Sequence, residues 1–212
     1  MTETLLVDAQ FLDQWKFRGH SYGECMTHHY LDLMYVYIPK NASTWTKDKL
    51  SKHKWDNANY HHDNLNKKPV VILRDPIERW LSGMAEYLTR FHPTIKLDSE
   101  ETLDVLFYKV IFDDHTERQV NFLHGLDAFK CIFFWCDEDY RNKFSEFISD
   151  IHGHNTFNIE PYKHVSNDSV ERRYFKQTLA NALNTKTVYK TKLEQHYAQD
   201  YILIEKIQKL IL

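Results

Sequence analysis

Lys40, Ser43 and Thr44 stand close together in YIPKNASTW at 37–45, just after an apolar run. An ammonium followed by two hydroxyls is a donor set for phosphate or sulfate oxygens. A helix starting at the same place adds unpaired N–H groups and a partial positive charge. A second set follows VVIL at 70–73: Arg74, then Ser82 within DPIERWLSG. A guanidinium offers a planar fork of donors matched to phosphate oxygens. Neither set is a Walker A loop, GxxxxGK[ST], in which two glycines precede the lysine and the hydroxyl follows it directly. Here the lysine leads.

These residues need elements to hold them. LMYVYI at 33–38 reads as a strand, PKNAST as a tight loop, and Thr44 to about Lys54 as a helix. VVIL lacks polar alternation, as a parallel strand buried on both faces does. After it, Asp75 suits an N-cap and Pro76 the first helical position. Ile77, Trp80, Leu81, Met84 and Leu88 recur at helical spacing, which puts Arg79, Ser82 and Glu86 on the opposite side of that helix. Asp75 and Arg79 read as capping and local ion pairing. Further helices are expected over 101–112, around Gln119, over 140–151 and over 195–212, with a third strand at CIFFW, 131–135. Alternating strands and helices, with polar residues at strand carboxyl ends, predict an α/β fold. Its sheet is expected to be open and parallel, flanked by helices, with the ligand at that edge. The chain reads as a single domain over 1–212, with 1–30 peripheral and 33–83 the core that carries both donor sets.

Composition narrows the classes of function. With 212 residues, 42% of them hydrophobic, the chain can bury one sizeable core. A formal charge of -3 gives no general field for a polyanion, so nucleic acid is not expected as a partner. Cys25, Cys131 and Cys136 match no zinc spacing and are odd in number, which argues against a disulfide framework. The 13 histidines are scattered, without a His-x3-His pair, so no metal is expected. No segment approaches the roughly 18 apolar residues of a membrane span. A cytoplasmic protein without membrane partners is the expectation.

PKNASTW resembles the PKSGTTW-type loop of sulfotransferases that use 3'-phosphoadenosine 5'-phosphosulfate, and VILRDPIERWLSG resembles the 3'-phosphate motif of the same family. The second motif is closest to carbohydrate sulfotransferases. The resemblance implies a P-loop-type sheet and a 5'-phosphosulfate loop of Lys40, Asn41, Ala42, Ser43 and Thr44, with Trp45 packing beside the nucleotide. It assigns Arg74 and Ser82 to the 3'-phosphate and requires no metal. Where this chain has Ala42 the family usually has glycine. A positive φ at that position costs an alanine on the order of 1 kcal/mol.

The family takes its base, a His or Glu, from between the two motifs. WDNANYHHDNLNKK precedes VVIL, so His61 and His62 are candidates, and NYHH resembles the YHxH segment of uronyl 2-O-sulfotransferases. Imidazole has a suitable pKa near neutrality. His115 is the rival: FDDHTERQVNFL resembles a D-H-x-x-x-Q segment of Golgi-type and microbial carbohydrate sulfotransferases, with Asp114, His115 and Gln119 lining the acceptor cleft. EPYKHVSNDS resembles the family's later loop, which implies that Lys163 or His164 closes over the nucleotide. The resulting expectation is sulfuryl transfer to a hydroxyl, on a saccharide acceptor. The alternatives are a non-catalytic nucleotide- or glycan-binding module of the same fold, and a P-loop kinase.

Overall fold

A computed structural model describes residues 22–61, 63, 66–153 and 169–211. His62, Lys163 and His164 lie outside the described residues. Among the described residues are five strands: β1 (Glu24–His28), β2 (Leu33–Val36), β3 (Trp55–Asn59), β4 (Lys68–Leu73) and β5 (Ile132–Trp135). Seven α-helices accompany them: α1 (Ser43–Ser51), α2 (Pro76–Phe91), α3 (Glu100–Lys109), α4 (Tyr140–His152), α5 (Val170–Thr185), α6 (Thr187–His196) and α7 (Ala198–Ile207). No helix among the described residues is long and apolar enough to cross a membrane.

The fold is α/β, with one open sheet in the order β3-β1-β2-β4-β5. β2, β4 and β5 are parallel neighbours, whereas β1 runs antiparallel to both β2 and β3. The sheet is therefore mixed, not parallel throughout. Part of the segment expected to be peripheral, Glu24–His28, is an interior strand of it. Cys25 and Met26 are both buried, because successive side chains point to the two faces and both faces are covered.

The same alternation sorts the core. Cys25, Met34, Val36, Val71, Leu73 and Phe133 face Val120, Phe122, Leu123, Leu203 and Ile207, from the 119–123 segment and α7. Met26, Tyr35, Val70, Ile72 and Phe134 face Trp45, Leu50, Tyr140, Phe144 and Ile148, from α1 and α4. VVIL is buried on both sides, as its lack of polar residues predicts. A separate cluster of Trp80, Leu81, Met84 and Leu88 with Phe107, Phe175, Leu179, Leu183 and Tyr189 joins α2, α3, α5 and α6.

The carboxyl end is not the one helix expected over 195–212. It divides at Tyr197, between α6 and α7. Tyr197 is fully buried and its hydroxyl donates to the Thr116 carbonyl. Asp200, one turn later, accepts from the Gln119 N–H at 3.0 Å and the Val120 N–H at 2.9 Å. The break turns α7 onto the 116–123 segment. That segment is a 3-10 turn, Gln119–Leu123, rather than an α-helix. Its first amides are capped by this aspartate instead of by a local side chain.

Candidate functional site

β2 and β4 are parallel neighbours, so the loops that leave their carboxyl ends emerge side by side. The first loop turns sharply. Lys40 has φ 70 and Ala42 has φ 55, both in the left-handed region. Ala42 is the N-cap of α1, and it makes no side-chain capping bond to the helix. Ala42 thus occupies the conformation glycine favours, and the methyl carries the corresponding strain. Its methyl also packs against the cluster around Trp45.

The loop is anchored from below. Asn41, 1% exposed, donates to the Ile72 carbonyl at 2.8 Å and to Gln119 Oε1 at 2.6 Å. The same Oε1 accepts from the Arg74 N–H at 3.0 Å, and Gln119 Nε2 returns a bond to the Arg74 carbonyl at 2.9 Å. One glutamine, held in turn by Asp200, therefore ties both loops together. Arg74 completes the junction by donating from NH1 to the Lys40 carbonyl at 3.2 Å.

Arg79 does not form a local ion pair on a polar helix face. It is 1% exposed and spends its guanidinium on three carbonyls: Nε to Pro39 at 2.9 Å, NH2 to Asp114 at 3.0 Å, and NH1 to Glu117. It pins the entry of the lysine loop to the segment that carries His115. Gly83, one turn along the same helix, lets that segment approach closely: a Cβ there would lie 2.4 Å from the His115 carbonyl oxygen.

The centre of the site is Glu86, further along α2. It forms an ion pair with Lys40 Nζ, and its carboxylate lies 3.3 Å from Arg172 NH2, 3.7 Å from His115 Nε2 and 3.9 Å from Arg90 NH2. Ser82 is half-buried, three residues after Arg79 and four before Glu86, so helical spacing puts it on the face they share. Burial draws the Lys40 ammonium below its usual pKa, and Glu86 draws it back up. Burial alone raises the Glu86 carboxyl, but Lys40, His115 and Arg172 outweigh it and hold the group below the ordinary carboxylate range.

His115 stands opposite. Its Nδ1 lies 3.0 Å from both Asp113 Oδ2 and Asp114 Oδ1. Burial favours the neutral ring, but the bonds and charges of Asp113 and Asp114 raise its pKa to about 9. At neutral pH it is an imidazolium. Nδ1 donates into the aspartates and Nε2–H points its charge toward Glu86. Asp113, Asp114 and His115 bring one ligand atom each within 4.8 Å of the others. The imidazolium proton accounts for that approach as an ion pair.

The remaining residues singled out by sequence separate by role. Thr44 is exposed at the start of α1, while Ser43 is buried and hydrogen-bonded to the Tyr37 phenol. Trp45 is turned away from the loop opening. It is 4% exposed, with its ring edge-on to Tyr140 and Phe144 at centroid distances of 5.7 and 6.2 Å. That direction follows from α1 lying on the sheet, because a residue one turn into such a helix faces the core.

His61 is exposed beyond β3, its ring tilted against Tyr60 at a centroid distance of 4.3 Å and 6.2 Å from His124. Tyr60 in turn bonds the Phe122 carbonyl at 2.7 Å. This is a separate aromatic cluster; among the described residues the histidine assembled with Lys40 and Glu86 is His115. Arg172 belongs to α5, a helix outside the sequence expectations. Its only sequence signal is the capping pattern Ser169, Val170, Glu171, Arg172, in which Ser169 accepts from the Arg172 N–H at 3.2 Å.

Comparison with family models, with curated proteins and with solved structures finds no match to this chain.

Proposed function

We propose that the protein is a sulfotransferase that moves the sulfuryl group of 3'-phosphoadenosine 5'-phosphosulfate to an acceptor hydroxyl, on a carbohydrate. The observation that carries this reading is the contact between the two motifs. Arg74 donates to the Lys40 carbonyl at the carboxyl ends of adjacent parallel strands, beside a helix start with no side-chain cap. A bisphosphorylated nucleotide needs two anion sites a few ångströms apart. Lys40 with the first turn of α1 supplies one, and Arg74 with Ser82 the other.

Both sites have the required chemistry. The α1 amides, the Lys40 ammonium and the Thr44 hydroxyl are donors that match a phosphosulfate. Arg172, beside Glu86 and close enough to perturb Lys40, adds positive charge to the same place. In sulfuryl transfer the bond from sulfur to the bridging oxygen breaks, and negative charge develops on the leaving 5'-phosphate. The reading assigns neutralisation of that charge to Lys40 rather than to a metal. The two strand-loop-helix units, β2 to α1 and β4 to α2, are the P-loop-type part of the fold, with β1 a departure from an all-parallel sheet. Free thiols at Cys25, Cys131 and Cys136 support a cytoplasmic setting.

The test is labelled-sulfate transfer from the donor to a panel of desulfated polysaccharides, with calorimetric binding of adenosine 3',5'-bisphosphate in parallel. Binding without transfer identifies the non-catalytic nucleotide-binding alternative, and absence of both ends the proposal.

A further inference from the structure

Resting on the sulfotransferase reading, we propose that Glu86 on α2, rather than His115, takes the proton of the acceptor hydroxyl.

Position is the first reason. Glu86 is ion-paired with Lys40 Nζ, the group assigned to the leaving oxygen. An ammonium has three N–H donors, so Lys40 can bond the leaving oxygen while still touching Glu86. Any oxygen so bonded lies within two hydrogen-bond lengths, roughly 6 Å, of the carboxylate. An in-line displacement puts the attacking oxygen on the far side of sulfur from the leaving one. A carboxylate at that range meets the attacking hydroxyl when the acceptor enters along the Glu86 side of the sulfuryl group.

Charge is the second reason. The groups that face Glu86 are Lys40 from the loop, Arg90 from its own helix, His115 from the 113–115 segment and Arg172 from α5. Three of the four are basic side chains, and the Asp113 and Asp114 carboxylates on Nδ1 hold the proton on the fourth, His115. His115 already holds a proton on each nitrogen and has no lone pair with which to accept another. Glu86 is ionised and is the acceptor among these five groups.

The step balances. The acceptor O–H proton passes to a Glu86 carboxylate oxygen as the acceptor oxygen bonds to sulfur. The bond from sulfur to the bridging oxygen breaks, and its electron pair stays on the 5'-phosphate beside Lys40. The His115 imidazolium gives up no proton, and its charge keeps Glu86 ionised between turnovers.

The test uses the full chain, with the labelled donor and the desulfated polysaccharide panel as substrates. Glu86→Gln is expected to lower turnover at least 100-fold, in line with the roughly 10²–10⁴-fold worth of acid-base catalysis. Its dissociation constant for adenosine 3',5'-bisphosphate is expected to stay within about threefold of the wild-type value, which also shows that it folds. Added formate is expected to restore part of the turnover of Glu86→Ala in proportion to its concentration, a response a merely structural carboxylate lacks. His61→Ala is expected to keep full turnover, because His61 belongs to the cluster with Tyr60 and His124. Glu86→Gln within tenfold of wild type, absence of formate rescue, or a 100-fold loss in His61→Ala or in His62→Ala overturns the assignment of Glu86. A wild-type chain that neither binds the bisphosphate nor transfers sulfate removes the parent reading as well, so the two failures are distinct.

Discussion

Gln119 Oε1 lies 2.6 Å from Asn41 Nδ2 and 3.0 Å from the Arg74 N–H, so a single buried oxygen is shared by the two loops of the site. Asp200 holds the backbone of that glutamine from α7. Gln119→Ala removes one of the two acceptors of the Asn41 amide and takes this partner from the Arg74 N–H and carbonyl. Leaving buried polar groups unpaired costs about 1–3 kcal/mol each, less what water recovers. The variant is expected to lose about 2–4 kcal/mol in urea unfolding and to bind the bisphosphate more weakly. A loss under about 0.5 kcal/mol contradicts the role given to Gln119.

Lys40 and Arg74 touch, yet they serve different steps. Lys40→Ala removes the charge that meets the leaving oxygen and is expected to lower turnover far more than it weakens binding. Arg74→Ala removes a charge-assisted fork worth about 1.5–3 kcal/mol, so bisphosphate affinity is expected to fall roughly 10- to 100-fold. Calorimetry and turnover on both variants check the split. The reverse pattern reassigns the two residues.

Ala42 stands at φ 55 without a glycine's freedom. Ala42→Gly relieves a left-handed strain of about 1 kcal/mol, offset by the packing lost with the methyl. The expected outcome is a midpoint for unfolding equal to or above that of the wild type. Destabilisation beyond about 1 kcal/mol means that the methyl's packing outweighs the backbone strain.

Two buried groups give stability opposite slopes from those of ordinary acidic pairs. His115 is raised from 6.5 to about 9. The folded state therefore holds its proton more tightly than the unfolded chain. Its contribution is complete below pH 6.5 and is lost as pH rises to about 9, at most on the order of 3 kcal/mol. Asp200 is raised from 3.8 to about 6 by burial, despite the Gln119 and Val120 amides. Stability from this group likewise falls as pH rises from 3.8 to about 6. Urea unfolding from pH 6.5 to 9 is expected to show a decline in the wild type that His115→Gln lacks. Parallel curves for the two proteins contradict the charged state of His115.

What the sequence makes legible is local. VVIL shows its double burial, Asp75 accepts from the Glu78 N–H at 2.8 Å as a cap should, and both motifs follow strands. β1 escapes because ECMTH has too few residues to show alternation, and its two buried neighbours face different layers. Arg79 escapes because its partners are carbonyls at Pro39, Asp114 and Glu117, which no spacing within α2 announces. Glu86 reads as a residue on a polar face, since Lys40 and Arg172 reach it from distant segments. His115 is visible as a candidate, but its charge depends on the carboxylates folded around it. The Gly83 contact with its carbonyl sets how near it comes to α2.

The central claim is that the two loops joined by Arg74 and Lys40 form one nucleotide site. Isothermal calorimetry of the wild-type chain with adenosine 3',5'-bisphosphate tests it most directly. The prediction is one-to-one binding at micromolar concentrations that weakens in Arg74→Ala. No heat of binding at millimolar nucleotide, or binding indifferent to Arg74, contradicts it.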